Sequence, residues 1–275
     1  MPVSGPTVVR RQLGRRLQRL REATGKTVLE VEAATGISRT KLWRVERGQV
    51  PVKQPDVWAL CRYYEVDAAQ TDILASLAQG TADQGWWEDY SDVIPDWFQL
   101  YVGLESAATS IFTFEDSVVP GELQTAGYIE AVYRGERPDE DGKIIERHVR
   151  LRQERQEALF GRVPAPVISV VLGQNVLTRS VGGPAVLAAQ IERLRDLDRQ
   201  GRIDLRVLTF DSGAHPAMAG AFRILDFEEA EDPDVVYLEG LLGARYLEEE
   251  TELQAYRRVF DLAYRQAVPI REFPR

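Results

Sequence analysis

Residues 36–48 read Gly-Ile-Ser-Arg-Thr-Lys-Leu-Trp-Arg-Val-Glu-Arg-Gly, and this stretch decides the fold of the N-terminal part of the chain. Ser38 is a good N-cap, so we predict a helix over residues 39–47. Gly48 can adopt the left-handed conformation that closes such a helix. The preceding helix should stop at Gly36, which leaves a turn of three residues between the two helices. That spacing is the one a helix-turn-helix requires.

The side chains of this helix divide into two faces. Leu42 and Val45 form an inward pair, and Ile37 packs the turn. The outward residues are Arg39, Thr40, Lys41 and Arg44. An exposed arginine can contact guanine through two hydrogen bonds, and a threonine can meet a base edge or a thymine methyl group. The pattern therefore favours a helix that enters a major groove.

The residues before the turn predict two further helices. Apolar residues recur at three- and four-residue steps from Val9 to Leu20, so a first amphipathic helix should end near Gly25. The arginines that this pattern places mostly on the other faces are Arg10, Arg11, Arg15, Arg16, Arg19 and Arg21. Thr27 and Glu30 have the spacing of a capping box and predict the start of a short second helix.

Two more helices are predicted after the turn, at about residues 54–64 and 68–79. Their core residues should be Val57, Leu60, Tyr64, Ile73, Leu74 and Leu77. The N-terminal part is therefore expected to be an all-α domain of five helices. We predict that it covers residues 1–80, with a linker of small and polar residues at 81–85 and a second domain at 86–275.

The charge is distributed unevenly along the chain. The formal net charge is −9, but residues 1–53 carry twelve Lys or Arg and four Asp or Glu, a balance of +8. The remaining residues hold 22 basic and 39 acidic side chains, a balance of −17. Because counterion release depends on the local surface that meets the phosphates, the acidic total does not exclude a nucleic-acid partner.

Length and composition indicate two domains in a reducing compartment. The 275 residues contain no run of about eighteen apolar residues. The first residues lack the apolar core of a signal peptide, so we expect a cytoplasmic protein with no membrane partner. The single cysteine, Cys61, excludes an internal disulfide and is expected to pack in a core.

The second domain is predicted to be α+β with a mainly antiparallel sheet. The predicted strands are 110–119, 167–172, 205–210, 222–227 and 235–239, and the predicted helices are 123–134, 143–160, 185–200 and 248–267. The last three strands follow one another without helices, which suggests an antiparallel meander. Residues 182–184 read Gly-Gly-Pro and predict a turn before a helix.

Six aromatic residues cluster near the start of this domain, among several acidic side chains. They are Trp86, Trp87, Tyr90, Trp97, Phe98 and Tyr101. The acidic neighbours argue against base stacking because they would repel phosphates. Core or interdomain packing and a pocket wall both remain open for this cluster.

Polar residues of one predicted helix form the main candidate site of the second domain. Arg152, Arg155 and Gln156 share one face because they lie three and four residues apart. They can clamp an anion, or they can pair with Glu105 and Glu239. Gln124 is a further candidate.

The sequence lacks the signals of a catalytic or cofactor site. His215 lies in a loop and is expected to be solvated, and only His148 accompanies it, so we expect no histidine-based metal site. No phosphate-binding glycine loop, dinucleotide motif or nucleophile elbow occurs. We therefore predict a protein that is not an enzyme and holds no cofactor.

The N-terminal part resembles the Cro/C1-type (XRE) helix-turn-helix family over about residues 8–79. The resemblance is carried by Gly36-Ile37-Ser38, by Trp43-Arg44-Val45-Glu46-Arg47-Gly48 and by Pro51. A homodimer is expected because one recognition helix reads too few base pairs for a useful specificity ratio. The resemblance implies double-stranded DNA as a partner. It implies base contacts by Arg39, Thr40 and Arg44, and phosphate contacts by Thr27, Ser38, Lys41, Gln49 and Lys53. Glu32 stands where the family commonly has a small alanine, which suggests either a shifted helix pair or an outward glutamate.

The rest of the chain resembles the C-terminal domain of uncharacterised function in actinobacterial WhiJ-like regulators. The matching stretches are Leu104-Glu105, 119–125, 152–156, 181–183 and 236–239. The resemblance implies a small protein encoded nearby as a partner, and a small-molecule effector stays open as an alternative. Three hypotheses stay open: a transcriptional regulator whose second domain binds an effector or partner, an antitoxin-like interaction module with autoregulatory DNA binding, and an enzyme acting on a small molecule.

Overall fold

The computed structural model describes residues 6–80, 90, 94–228 and 233–273, which form two compact units. The first unit contains the described residues 6–80 and 99–107. The second contains residue 90 and residues 94–98, 108–228 and 233–273. The predicted linker, 81–85, lies outside the described residues, as do Trp86 and Trp87 of the aromatic cluster, and the predicted domain boundaries stay a prediction.

Five helices build residues 6–80 of the first unit. They are α1 (Pro6–Ala23), α2 (Val28–Thr35), α3 (Arg39–Glu46), α4 (Gln54–Tyr63) and α5 (Ala68–Gly80). A sixth helix, α6 (Asp96–Glu105), begins in the second unit and ends in the first. The all-α fold predicted for the N-terminal part is confirmed.

Caps fix the two helices of the motif as the sequence predicts. The Thr27 hydroxyl accepts from the Glu30 backbone N–H at 3.3 Å, and the Glu30 carboxylate accepts from the Thr27 N–H at 2.8 Å. Gly36 ends α2 in the left-handed region at φ +73°. The Ser38 hydroxyl accepts from the Lys41 N–H at 3.3 Å. The turn is therefore held by local hydrogen bonds that any chain with this sequence can form.

The core of the first unit confirms most of the predicted residues and corrects two expectations. It contains Leu13, Leu17, Val31, Ile37, Leu42, Val45, Val57, Leu60, Cys61, Tyr64 and Leu74. Ile73 is not a core residue but is 56% exposed, because Leu74, Ala75 and Ala78 occupy the inward stripe of α5. Arg11 is not on an outer face but is only 3% exposed. It lies against Gly48, which has no side chain to keep it away.

A mixed sheet of seven strands forms the centre of the second unit. Its strands are β1 (Ser110–Glu115), β2 (Val167–Gly173), β3 (Asp204–Leu208), β4 (Phe222–Asp226), β5 (Val235–Gly240), β6 (Gly243–Leu247) and β7 (Val268–Pro269). Their order is β6-β5-β4-β1-β2-β3-β7. Strands β1, β2 and β3 are parallel neighbours, and all other neighbours are antiparallel. The predicted α+β class with a mainly antiparallel sheet is confirmed.

Helices connect the parallel strands and cover the sheet. Helices α7 (Ala126–Glu136) and α8 (Gly142–Phe160) lie between β1 and β2, and α9 (Gln174–Thr178) and α10 (Pro184–Arg199) lie between β2 and β3. Helix α11 (Glu250–Gln266) packs on the sheet face that carries Phe112 and Phe114. The Phe112 and Phe260 rings meet edge to face, with their centroids 5.3 Å apart.

The prediction that β3 begins the antiparallel meander is wrong. β3 does not pair with β4 but runs parallel to β2, with Val170 opposite Leu205. The meander consists of β4, β5 and β6, and its last strand was not predicted because β6 is short and only partly buried. No helix among the described residues is long and apolar enough to cross a membrane.

Candidate functional site

The outward side of α3 carries the first candidate site. We call Thr40, Trp43, Arg44 and Arg47 the outer face, since all four are exposed and lie on the side of the helix away from Leu42 and Val45. In the described part of the chain, the Arg44 side chain has no hydrogen-bond or ion-pair partner. A guanidinium group in this position is available to a ligand without first breaking a contact.

Trp43 and Arg47 were not predicted as functional residues, although they complete the outer face. The Arg47 guanidinium lies over the Trp43 ring, 4.1 Å from its centroid, and Trp43 is 47% exposed. Their spacing of four residues places them on the same side of the helix and is the signal that could have identified them. This cation–π contact favours one orientation of the Arg47 guanidinium by about 0.5–1 kcal/mol.

Carboxylates from neighbouring helices hold the two cations that flank the outer face. Arg39 Nε lies 2.9 Å from Glu32 Oε2, and the Arg39 backbone N–H donates to Glu32 Oε1 at 3.0 Å. Lys41 Nζ lies 2.7 Å from Asp56 Oδ2. Glu32 is therefore an outward glutamate that bridges α2 and α3. Each carboxylate partly neutralises its cation, so a base or phosphate contact by Arg39 or Lys41 competes with the ion pair.

The C-terminal end of α3 is fixed to α1 by an ion pair and by close backbone packing. Arg21 donates to both carboxylate oxygens of Glu46, at 2.6 Å and 3.0 Å, and Glu46 is buried. The hydrogen bond to Glu46 raises the pKa of Arg21 above its ordinary value despite the opposing effect of burial. A Cβ atom on Gly14 would lie 2.2 Å from Val45 O, so α1 contacts the backbone of α3 directly. These contacts determine the orientation of the outer face.

The predicted phosphate-contacting residues have different environments. Gln49 and Lys53 are exposed, and the exposed Ser38 caps α3. The Thr27 hydroxyl is engaged in the capping box, where it also donates to Glu30 Oε2 at 2.8 Å. The hydrogen bonds from Thr27 keep the pKa of Glu30 below its ordinary value, so a carboxylate stands beside this position. The base and phosphate contacts themselves stay predictions.

Replacing Glu32 by Gln is expected to tighten binding to all DNA sequences by about threefold to tenfold at low salt. The amide oxygen can still accept from the Arg39 backbone N–H, whereas the charge that competes with phosphate is lost. Fluorescence anisotropy with specific and scrambled duplexes measures the effect. Glu65→Gln, at the end of α4 remote from Lys53, is the control and should leave affinity unchanged. Equal affinities of the two variants would show that Glu32 does not restrain Arg39.

The second candidate site brings together four of the six predicted polar residues. Arg152 NH1 donates to Gln124 Oε1 at 2.8 Å. Gln156 Nε2 donates to the carbonyl groups of Gly121 and Gln124, at 3.0 Å and 2.8 Å. Arg155 lies on the same face of α8 and is buried. All these contacts join α8 to the turn at residues 120–124, so this face of α8 is used to hold a loop.

Glu122, which the sequence analysis did not identify, is the acidic centre of this cluster. Its side chain is completely buried, with Arg155 NH2 at 3.0 Å and Arg223 NH1 at 3.4 Å from Oε2. Burial alone would raise the pKa of Glu122, but Arg223 and Arg155 outweigh it and lower the pKa below its ordinary value. The guanidinium of Arg155 is thus occupied by a carboxylate of the same unit.

The remaining predicted residues of this site are Glu239 and Glu105. Glu239 is exposed on β5 and accepts from the Tyr237 hydroxyl at 3.0 Å, so it does not join the cluster. Glu105 is buried at the end of α6, in the first unit, and accepts from the Tyr101 hydroxyl at 2.8 Å. No group of His, Cys, Asp or Glu in the part of the chain that the structure describes is arranged to hold a metal ion.

Comparison with known families gives two matches along the chain. The profile of a helix-turn-helix domain matches residues 12–74, and the profile described as a domain of unknown function (DUF5753) matches residues 98–272. No curated protein and no solved structure matched the chain. The XRE-like helix-turn-helix and the C-terminal domain of uncharacterised function are both confirmed. Since the second match spans more than half of the 275 residues, the chain belongs to the DUF5753 family and carries an N-terminal helix-turn-helix domain.

Proposed function

We propose that this protein is a sequence-specific DNA-binding transcriptional regulator and not an enzyme. The outer face of α3 enters the major groove, where Arg44 and Thr40 contact bases and Arg39 joins them after it leaves Glu32. The observation that carries the proposal is the exposed, unpaired Arg44 on a helix whose orientation Arg21, Glu46 and Gly14 fix. A helix that recognises bases must be held rigidly, and its base-contacting side chains must be free of competing contacts.

The proposal includes a homodimer and a regulatory role for the second unit. One recognition helix contacts too few base pairs for a useful specificity ratio, whereas two helices one DNA turn apart can read a palindrome. The second unit, with its own sheet and core, is the part available to bind an effector or a partner protein. Its buried polar cluster supports a rigid scaffold for such binding.

Arg44→Ala is expected to cost about 1–3 kcal/mol of binding free energy on the preferred site only, because it removes a base contact. Lys53→Ala is the matched comparison, since it removes an exposed cation outside the outer face. It should weaken all duplexes alike and reduce the salt dependence by about one charge. Anisotropy titrations with the protein's own promoter and scrambled DNA at several salt concentrations measure both effects.

Two outcomes would contradict the proposal. Wild-type protein that shows no preference for its own promoter over scrambled DNA at physiological salt would exclude sequence-specific binding. Equal losses on both duplexes in Arg44→Ala would remove Arg44 from base recognition. Circular dichroism of each variant should match wild type, because both side chains are exposed.

A second candidate function is a protein-interaction module in which DNA binding is autoregulatory. It is favoured by the turn between β5 and β6, where Leu241 is 99% exposed and Leu242 is 96% exposed. Two adjacent leucines with almost no buried surface are unusual on a soluble domain and are typical of a contact surface. A partner that covers them would gain apolar burial that the isolated unit does not provide.

The double variant Leu241→Ser, Leu242→Ser tests this candidate. It should keep the wild-type melting temperature but lose a small protein that co-purifies with the wild type from its native host. Val163→Ser is the control, because Val163 is 96% exposed elsewhere in the second unit. Light scattering distinguishes a lost partner from a lost homodimer. Co-purification that persists in the double variant would dismiss this turn as the contact surface.

A further inference from the structure

A small pocket lies where the three parallel strands end. β1, β2 and β3 run in the same direction, so the residues that follow them meet at one edge of the sheet. Asp116 follows β1, Gln174 follows β2, and Phe210 comes shortly after β3. With His215 and Met218 from the next loop, these residues line a space of about 240 Å³. The carboxyl edge of parallel strands is the usual ligand position in open sheets of this kind.

Hydrogen bonds between the strand ends hold this pocket in shape. The Asn175 amide donates to the Asp116 carbonyl, and Gln174 Oε1 accepts from the Phe210 N–H at 2.8 Å. Glu115 Oε1 accepts from the backbone N–H groups of Asp116 and Ser117, both at 3.1 Å. The walls are therefore fixed before any ligand arrives, which lowers the entropic cost of binding.

The described lining of the pocket contains one carboxylate, Asp116, and one histidine, His215. Of the described residues that line it, Asp116 is the one acidic side chain, and none is Lys or Arg. Within the described ranges, Asp116 has no ion-pair partner, and its Oδ1 accepts only from the neighbouring Ser117 hydroxyl at 3.1 Å. A partly buried carboxylate without a counter-charge favours a cationic ligand over a neutral or anionic one.

The rim of the pocket is apolar. Phe210 is 65% exposed and Met218 is 66% exposed, although both are large side chains that normally gain from burial. An aromatic face attracts a cation, and methionine adapts its shape to an apolar group. His215 also lines the pocket, and its ring centroid lies 5.6 Å from that of Phe114.

We propose that this pocket binds a small organic ammonium ion, an amine of metabolite size. Its charged nitrogen pairs with Asp116, and its apolar part lies on Phe210 and Met218. A space of about 240 Å³ is smaller than the usual ligand pocket of about 300–1,000 Å³, which fits a small amine and excludes nucleotide-sized molecules. Binding of the amine is independent of DNA, whereas its action as an effector of DNA affinity rests on the proposed function.

Isothermal titration calorimetry of the full chain without DNA tests the pocket with phenethylammonium chloride as the probe. Neutral 2-phenylethanol and anionic phenylacetate serve as matched ligands of nearly the same shape. We expect the amine to bind with a Kd below about 1 mM and the other two to bind at least about tenfold more weakly. Asp116→Asn should weaken amine binding by at least about tenfold, since it removes the charge and keeps the shape.

Two further variants complete the test. Phe210→Leu should weaken the amine by about threefold, because it removes the aromatic face and keeps an apolar side chain. Asp211→Asn is the control, since this exposed carboxylate is adjacent to Phe210 but does not line the pocket. It should change the Kd by less than about twofold. Circular dichroism confirms that each variant is folded, and the exposed Phe210 can be changed without loss of core packing.

Three results would overturn the proposal: no heat of binding for the amine up to about 10 mM, equal binding of phenylacetate or 2-phenylethanol, or unchanged binding by Asp116→Asn. Promoter titrations with and without the amine then test its regulatory role. An amine that binds the protein but leaves promoter affinity unchanged would keep the site and remove its role as an effector. Absence of promoter preference both with and without the amine would instead contradict the proposed function alone.

Discussion

Glu122→Gln is expected to lower the free energy of unfolding of the second unit by about 3 kcal/mol. The substitution removes a completely buried carboxylate that faces Arg155 at 3.0 Å and Arg223 at 3.4 Å, while both guanidinium groups keep their charge. Removing one partner of a buried ion pair destabilises the fold by more than the intact pair stabilises it. The reason is that the remaining charge stays desolvated. Urea denaturation, with hydrogen exchange of peptides from residues 121–160, measures the loss.

Glu130→Gln is the control for this prediction. Glu130 pairs with Arg134 on α7 at 2.8 Å, but both side chains are about half exposed, so the cost should be within about 0.5 kcal/mol. Equal stability of the two variants would show that the buried cluster does not hold the loop at residues 120–124.

The difference in unfolding free energy between wild type and Glu122→Gln should depend on pH. The pKa of Glu122 in the folded protein is lower than its ordinary value of 4.5, because Arg223 and Arg155 outweigh the effect of burial. A lowered folded pKa contributes stability that is fully present above pH 4.5 and is lost as the pH falls through the folded value. The gap between wild type and Glu122→Gln should therefore be full at neutral pH and shrink in acid. A gap that widened in acid would contradict this assignment.

The features predicted correctly from the sequence are those that depend on near neighbours. Thr27 and Glu30 form their capping box, Ser38 caps α3, and Gly36 adopts a positive φ, because each needs only residues within one helical turn. The α+β class followed from apolar runs in the same way. Helix caps and apolar runs depend on neighbouring residues, so they form independently of the rest of the fold.

The features that the sequence did not predict depend on distant partners. Arg11 was expected on an outer face, but its surroundings are set by Gly48, 37 positions away along the chain. β3 lies beside β2 and not β4, because the crossover through α9 and α10 returns the chain parallel to β2. Helical periodicity gives the inward direction of one helix, but it does not say which neighbour covers that side.

The partners of the predicted site residues were missed for the same reason. Arg152, Arg155 and Gln156 lie on one helix face as predicted, but Glu122 was only one residue of the matching stretch 119–125 and was not identified as their acidic partner. A carboxylate in a turn is usually solvated, and only the tertiary structure shows that it is buried. The sequence indicated an outward Glu32, but its pairing with Arg39 and that of Asp56 with Lys41 were found only in the structure, since each carboxylate comes from a helix other than α3.

Gly14→Ala is expected to destabilise the first unit by about 3 kcal/mol, although alanine is the better helix former. The new Cβ would lie 2.2 Å from the Val45 carbonyl oxygen and 2.9 Å from that of Glu46. Both obstacles are backbone atoms, so no side-chain rotation relieves the contact and α1 must move away from α3. Hydrogen exchange of peptides within residues 6–80 measures the loss separately from the second unit.

Gly135→Ala on α7 is the matched control, because a Cβ there meets no atom within 4 Å. It should stabilise the second unit by about 0.5–1 kcal/mol through helix propensity alone. Two identical substitutions thus have opposite signs, and the sign depends on the space beside each glycine. If Gly14→Ala were also stabilising, α1 would not contact the backbone of α3.

Gly14→Ala should also impair DNA recognition. The carbonyl group that the new Cβ displaces belongs to Val45, the residue after Arg44. A shift of α3 against α1 strains the Arg21 and Glu46 ion pair and turns the outer face as one body. Base contacts need alignment within about half an ångström, whereas phosphate contacts by flexible lysines tolerate more. At temperatures where the variant remains folded, we therefore expect it to lose preference for its promoter and keep salt-dependent binding to scrambled DNA. Retained preference would show that the orientation of α3 is fixed by contacts other than α1.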